Sequence, residues 1–288
     1  MLKIILTGAS GLLGSEMINL LKKENINHIS IKSRVENLES NLSKIEEFDP
    51  DIFFHFGALK TKKILDDEAK REIYESNVTL TNVLFNYCKR NNIKFVYIST
   101  ADLYKRYGKP SFETDNLSQS QSTITGGFYG WTKYLGEELL KKEKGDHLIF
   151  RSSTIYNSIK PHNFSCAKLL KSKDFLKNFV FDNKQYLMNF IRADFFASAI
   201  LEISKKKKSI SNIYNFTSSF WFDNFDIFNL YAKKHDLSFL KNRQKKVMAK
   251  RFNASNSLIK RELGINFKES NYLQDLSFYL ASLDIGDN

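Results

Sequence analysis

Tyr129 and Lys133 stand four residues apart in Tyr129-Gly130-Trp131-Thr132-Lys133, at the head of an amphipathic stretch, so one helix face carries a phenol and an ammonium. A phenol with an ordinary pKa of about 10 is a poor acid-base group at neutral pH; a neighbouring cation favours its ionised form and brings it toward working range. About thirty residues upstream, Ser99-Thr100-Ala101-Asp102-Leu103-Tyr104 ends the apolar run that starts at Lys94, placing hydroxyls where open α/β sheets bind ligands. A third feature follows the apolar run Leu2 to Leu6: Thr7-Gly8-Ala9-Ser10-Gly11-Leu12-Leu13-Gly14. Gly8 permits a tight turn, Gly11 lets backbone approach a pyrophosphate and Gly14 lets a helix pack closely on a strand. Around Ser10, Leu12 and Leu13 the free N–H groups of the helix start face the anion. The spacing is G-x-x-G-x-x-G rather than the commoner G-x-G-x-x-G.

The nucleotide that such a turn would hold is read from the next strand. An acidic residue about 20 positions beyond the glycines accepts hydrogen bonds from the ribose hydroxyls of NAD. This chain has Lys32-Ser33-Arg34 instead, and Lys32 and Arg34 suit a 2′-phosphate, so NADP(H) is favoured over NAD(H). Two cations in a loop are also ordinary surface residues, and that reading stays beside the first.

These residues need a scaffold, and the pattern supplies one. Short apolar runs at Leu2 to Leu6, His28 to Ile31, Asp51 to Phe56, Lys94 to Ser99 and His147 to Phe150 alternate with amphipathic stretches at Gly11 to Lys23, Leu38 to Phe48, Asp66 to Asn91 and Tyr129 to Lys142. That alternation predicts βαβ units and an α/β fold: a Rossmann-type, doubly wound parallel sheet covered on both faces. Residues 1–150 form the expected nucleotide-binding part. Past Arg151 the alternation breaks down into helical reads at Ser165 to Lys171, Asp194 to Ser204, Phe225 to His235 and Leu258 to Leu263. Residues 151–288 are therefore expected to form a smaller C-terminal α/β substrate lobe, interwoven through a strand at Asn212 to Phe216 that returns to the main sheet.

Composition bounds the rest. With 288 residues, 42% hydrophobic and 14% aromatic, the chain is an ordinary globular protein, and disorder and collagen are excluded. No apolar run approaches the roughly 20 residues of a spanning helix, which excludes membrane insertion by a helix. Two cysteines, and a start that carries neither a basic leader nor a long apolar stretch, predict a cytoplasmic setting. Residues 1–150 hold 21 Lys+Arg and 20 Asp+Glu, whereas 151–288 hold 23 and 12, so the +12 net charge sits almost wholly in the second part. That bias attracts anions, but no stacking pattern accompanies it, and nucleic acid is not the expected partner. His28, His147, His162 and His235 lack metal-ligand spacing and His55 reads as a packed core histidine, so no metal is expected. Cys166 reads as a buried thiol, and the aromatic residues from Phe216 to Phe228 as lobe core.

In order along the chain stand TGASGLLG at 7–14, FHFGA at 54–58, ESNVTLTNVL at 75–84, YISTADLY at 97–104, YGWTK at 129–133, FRSSTIYN at 150–157, NFIRADFFASAI at 189–200 and SNIYNF at 211–216. This ordered set resembles the extended short-chain dehydrogenase/reductases, the family of nucleotide-sugar epimerases, dehydratases and reductases, and most closely its dTDP-4-dehydrorhamnose reductase-like branch. The resemblance implies that Tyr129 protonates a substrate oxygen as hydride arrives, that Lys133 holds the nicotinamide ribose and depresses the Tyr pKa, and that Thr100 positions the carbonyl. Gly57 and Ala58 would pack against the adenosine side, Ser99 and Ser152 would border the cofactor, and Asp102, Asn163 and Arg192 would contact substrate. Where epimerases commonly carry a diphosphate-gripping Arg this chain has Met188, leaving Arg192 or a neighbouring Lys for that task. Ala101 and Asp102 replace the Asp-Glu of 4,6-dehydratases, which argues against dehydration.

The implied activity is NAD(P)H-dependent reduction of a 4-keto nucleotide sugar for surface-polysaccharide synthesis. An NAD-dependent 4-epimerase is the enzymatic alternative, and a non-catalytic NADP-binding sensor or scaffold is the alternative of another class. Members of the family often dimerise through helices flanking the active site, and a homodimer stays open here.

Overall fold

The computed structural model describes residues 1–32, 34–60, 65–104, 110–117, 127–156, 180–181, 184–185, 187–209, 211–219, 222–223, 240–241, 247–248 and 254–264. Six strands, β1 (Lys3–Thr7), β2 (Asn27–Ile31), β3 (Ile52–His55), β4 (Lys94–Thr100), β5 (His147–Ser152) and a later strand at Ile213–Phe216, form one all-parallel sheet. Its order is β2-β1-β3-β4-β5 and then the strand at 213–216. Winding reverses between β1 and β3, and such a switch point is where open α/β sheets leave a crevice at their carboxyl edge.

Side-chain alternation decides which residues cover which face. Ile4, Leu6, Phe54, Val96, Ile98, Leu148 and Phe150 point to one side. There they meet Leu13, Met17 and Leu21 of α1 (Leu12–Lys23), and Phe196, Ala197 and Ile200 of the helix at Ala193–Lys205. Ile5, Phe53, Phe95, Tyr97 and Ile149 point to the other, against Ile45 of α2 (Leu38–Phe48), Leu84 and Cys88 of a helix at Leu80–Arg90, and Leu140 of a helix at Gly127–Lys142. The expected doubly wound sheet with helices on both faces is present.

The long helical stretch expected over 66–91 is divided. α3 (Asp67–Tyr74) is capped by Asp66, whose carboxylate accepts the Ala69 N–H at 2.8 Å. A π-helical turn at Glu75–Thr79 then intervenes before α4 (Leu80–Arg90). Inside that turn the Asn77 side chain accepts the Leu59 N–H (2.8 Å) and donates to the Leu59 carbonyl (2.9 Å) and the Thr132 hydroxyl (3.0 Å). The widened turn thus ties the chain leaving β3 to α5 (Gly127–Lys142), and π-turns of this kind concentrate at functional sites.

Beyond β5 lie β6 (Thr154–Tyr156) and β7 (Phe190–Arg192), paired in parallel, then α6 (Ala193–Lys205), β8 (Ile213–Phe216) and α7 (Ser257–Leu263). β8 lies beside β5 in parallel register. The helical reads at 165–171 and 225–235, together with Asn163 and Cys166, lie outside the described residues.

One buried ion pair joins these parts. Arg151 on β5 is 1% exposed, and Glu137 on α5 is 0%. Arg151 donates from Nε (3.0 Å) and Nη2 (2.7 Å) to the Glu137 carboxylate, and from Nη1 to the Tyr104 hydroxyl (2.6 Å) and the Glu113 carbonyl (3.3 Å). Tyr104 donates on to Asn215 Oδ1 of β8 at 2.7 Å, and the Asn215 N–H goes to the Glu113 carboxylate at 2.8 Å. Burial alone would push the Glu137 carboxyl up; the Arg151 charge and hydrogen bonds, helped by Lys141, hold it below its ordinary value.

Two predictions follow from packing. In Gly14→Ala the new Cβ would lie 2.1 Å from the Gly8 carbonyl oxygen. A helix-propensity gain of about 1 kcal/mol does not offset a clash of backbone against side chain. A net loss of about 1–3 kcal/mol, read as a lowered thermal midpoint, is expected, and an unchanged midpoint would contradict the close packing. Glu137→Ala strands a buried guanidinium and should cost about 3–5 kcal/mol in urea unfolding. Because the folded pKa of Glu137 is depressed, its contribution is present above the ordinary carboxyl value of 4.5 and lost as pH falls below it; Glu137→Gln should flatten that acid limb.

Candidate active site

The carboxyl ends of β1 and β3 meet at the switch point, where Gly8 packs directly on the Phe56–Gly57 backbone. Gly8 leaves β1 with φ +71°, a conformation that favours glycine, and a Cβ there would lie 2.7 Å from the Gly57 nitrogen. The Gly11 N–H closes the turn on the Gly8 carbonyl at 2.9 Å. No side chain caps α1, whose first turn also lacks acidic residues, so its N–H groups are left for an anion. Ser10 is exposed at the turn, Leu12 is half-buried, and Leu13 and Gly14 face the core. Gly57 is buried against Gly8, with Ala58 half-buried beside it.

A row of polar groups beneath this turn holds it in place. The Gly57 N–H donates to the Thr7 hydroxyl (3.1 Å), and Thr7 and His55 Nδ1 are 2.9 Å apart. His55 Nε2 lies 2.9 Å from the Thr81 hydroxyl, which itself donates to the Asn77 carbonyl at 2.8 Å. Thr81 spends its proton on that carbonyl, so Nε2 carries the imidazole hydrogen and Thr7 donates to Nδ1. Burial, reinforced by the Lys133 charge, pushes His55 down to about 3, so the ring is neutral, as this pattern requires. His55 is a core residue, as its place at the end of an apolar strand suggested.

The residues expected to react stand across the same edge. Thr100 ends β4 almost fully buried, and its Oγ accepts the Asp102 N–H at 3.2 Å. Ser99 is buried beside it, and Ser152 at the end of β5 donates to the Ser99 carbonyl at 3.4 Å. Tyr129 and Lys133 lie on α5, whose first turns are fixed from below by Thr132: it accepts from Asn77 and donates to the Tyr129 carbonyl at 2.8 Å.

The electrostatics differ from the sequence expectation in one respect. Lys133 was expected to depress the Tyr129 pKa; instead, burial first and the Asp102 carboxylate second hold the Tyr129 phenol above its ordinary value. Lys133 itself is pushed down to about 7 by burial, against an opposing pull from Glu137. An amine that burial drives toward its neutral form near pH 7 carries only part of a charge with which to stabilise a phenolate.

Other expected contacts are less concentrated. Lys32 is exposed after β2, and Arg34, also exposed, lies 3.5 Å from Glu36. Arg192 forms a bidentate pair with Asp194, at 3.0 and 2.6 Å, on the exposed start of α6. Asn163 lies outside the described residues. Asn77, Glu137, Arg151 and Tyr97 were not singled out as functional residues. The visible signals were a row Tyr129, Lys133, Glu137 at four-residue spacing and two polar residues, Asn77 and Thr81, interrupting an apolar helix face. Among the described residues no group of His, Cys, Asp and Glu could hold a metal, and no helix is long and apolar enough to cross a membrane.

Comparison with known proteins agrees with this geometry. The chain is 23% identical over 240 residues to the bifunctional dTDP-4-dehydrorhamnose 3,5-epimerase/dTDP-4-dehydrorhamnose reductase of Arabidopsis thaliana, covering 82% of this chain and 76% of that protein. Against other curated relatives it spans about half of their length or less. Two solved structures share the fold. One is dTDP-4-dehydrorhamnose reductase from Bacillus anthracis in complex with NADP, with TM-score 0.76, 18% identity, and 98% of this chain and 99% of that one covered. The other is a short-chain dehydrogenase/reductase superfamily protein from Agrobacterium tumefaciens with bound NAD, with TM-score 0.76, 16% identity and 97% of both chains covered. A family profile described as "RmlD substrate binding domain" matches residues 2–266, and the chain belongs to that family.

Proposed function

We propose that this protein is an NADP(H)-dependent reductase of a 4-keto sugar carried on a nucleoside diphosphate, acting in surface-polysaccharide synthesis. The observation that carries the reading is the Tyr129 phenol, held above its ordinary pKa, and the Thr100 hydroxyl at the same sheet edge as a turn where Gly8 and Gly14 leave no room for a Cβ. The residues fit a dinucleotide: a Cβ on Gly8 or Gly14 would fill the space that this turn keeps for backbone. When bound, the nicotinamide supplies the hydride.

In this reading the start of α1 and the Gly8 to Gly14 turn bind the pyrophosphate, Gly57 and Ala58 flank the adenosine, and Ser99 and Ser152 border the nicotinamide. Lys32 and Arg34 contact the 2′-phosphate; the Arg34–Glu36 contact is exposed, and such pairs are worth about 1 kcal/mol or less, so a phosphate can displace it. Thr100 spends a lone pair on the Asp102 N–H and keeps its O–H for the substrate carbonyl. Tyr129 gives its proton to the oxygen that becomes the new hydroxyl. A phenol held above its ordinary pKa is in the form that ketone reduction consumes. Lys133 hydrogen-bonds the ribose. Residues 151–288, including Asn163 and Arg192, hold the sugar nucleotide, and the basic balance of this part suits its diphosphate.

NADPH oxidation with a 4-keto nucleotide sugar tests the assignment. Tyr129→Phe should lower kcat by about 10²–10⁴ with NADPH binding kept, and full turnover in that variant would leave the scaffold reading. Reduction takes up a proton and needs a charged Lys133, so kcat/KM should hold on the acid side and fall as pH rises through about 7; Lys133→Met should abolish that limb.

Cofactor choice is a separate test. Replacing Lys32 and Arg34 together by Ala should weaken NADPH binding at least about tenfold, the loss of one charge-assisted contact, with little change for NADH. Stoichiometric NAD(H) released on denaturing the purified protein, and never exchanged, would favour the 4-epimerase instead.

A further inference from the structure

Lys133 is 3% exposed, yet among the described residues no carboxylate lies within ion-pair distance of its ammonium. Glu137, one turn on, is committed to Arg151 and to Lys141, whose Nζ is 3.2 Å from Oε2. What lies against the ammonium is the face of Tyr97, with Nζ 4.3 Å from the ring centroid. Tyr97 is fully buried and, among the described residues, its hydroxyl has no hydrogen-bond partner, so the hydroxyl does not explain the residue. The helix is drawn close over this ring: at Gly136 a Cβ would come 2.3 Å from the Tyr97 hydroxyl oxygen.

We propose that the Tyr97 ring is the seat of the Lys133 ammonium, a positioning residue whose π face, rather than a carboxylate, holds that charge at the cofactor edge. The surroundings favour attraction by the ring quadrupole. Tyr97 stays neutral, since burial, then Tyr129 and Glu137, keep its phenol well above the ordinary value. His55 stacks beside the ring at 6.0 Å and is also neutral, so no second cation competes. Among the described residues Lys133 is faced by Glu137 from its own helix, His55 from β3 and Tyr97 from β4. Arg151 of β5 is consumed by Glu137. A carboxylate in place of the ring would bind the ammonium outright and hold it back from a ribose; a π face supports the charge and leaves N–H donors on the side away from the ring available.

The test is a ring series at position 97 in the full chain: Tyr97→Phe, then phenylalanine with one, two and three ring fluorines, which drain the π face at nearly constant volume. The readout is the titration midpoint of Lys133, followed by NMR of ε-carbon-labelled lysine and assigned by loss of the signal in Lys133→Met. Tyr97→Phe should retain the wild-type midpoint. Fluorination should move it stepwise toward acid by about one pH unit in all, and NADPH binding at pH 8 should weaken about tenfold in parallel. A midpoint indifferent to fluorination would overturn the proposal, and so would an unchanged midpoint in Tyr97→Leu, which removes the ring. The importance of the seat for turnover rests on the proposed reductase reading. The midpoint reports the contact alone and Tyr129→Phe turnover reports the reaction, so failure of either is recognised separately.

Discussion

Two charges that water does not reach, Arg151 and Glu137, set the terms for the rest of the molecule. Taking each out of water costs several kcal/mol after relaxation, and the attraction between them offsets that only if every remaining donor is satisfied. The guanidinium therefore needs Tyr104 and the Glu113 carbonyl as well as the carboxylate, and Tyr104 needs Asn215. One arrangement of α5, β5, β8, the segment after β4 and residues 110–117 meets those demands together. In this protein the pair selects a geometry more than it adds stability, since well-packed apolar groups can match a buried ion pair in energy.

The same economy governs the cofactor edge. Gly57, Thr7, His55 and Thr81 hand one hydrogen each along a fixed direction that ends at the Asn77 carbonyl. Reversing any member would leave a buried donor or acceptor unpaired, at about 1–3 kcal/mol. Asn77 then uses its side chain on Leu59 and Thr132, so the segment leaving β3 and the helix that bears Tyr129 are held by a single residue. Against this background Lys133 stands out, because it alone of the buried charges named has an aromatic face where the others have an opposite charge. A charge left free to bind is what a site needs and what a core avoids.

Much of this was legible beforehand. Through β5 the alternation of short apolar runs with amphipathic stretches placed the strands within a residue or two, because the periods 2 and 3.6 are imposed by backbone geometry, whereas β6 and β7 were not read from it. The glycines at 8 and 14 could be read because a Cβ there would come within 3 Å of backbone. The division of the 66–91 helix was not legible: a π-turn arises from what Asn77 finds on other elements, and no local propensity encodes it. Nor was the sign of the Tyr129 shift, since spacing puts a cation nearby but says nothing about the solvent removed from both groups.

The sequence by itself therefore determined the element order, the parallel sheet and the identity of the residues gathered at its carboxyl edge. Those follow from periodicity, turn chemistry and side-chain type, which are local. Tertiary structure alone decided which polar groups are buried together, that His55 is neutral, that Tyr129 keeps its proton and that Lys133 rests on a ring. Those depend on desolvation and on partners 14 to 111 residues away along the chain, and neither is a property of any one stretch of it.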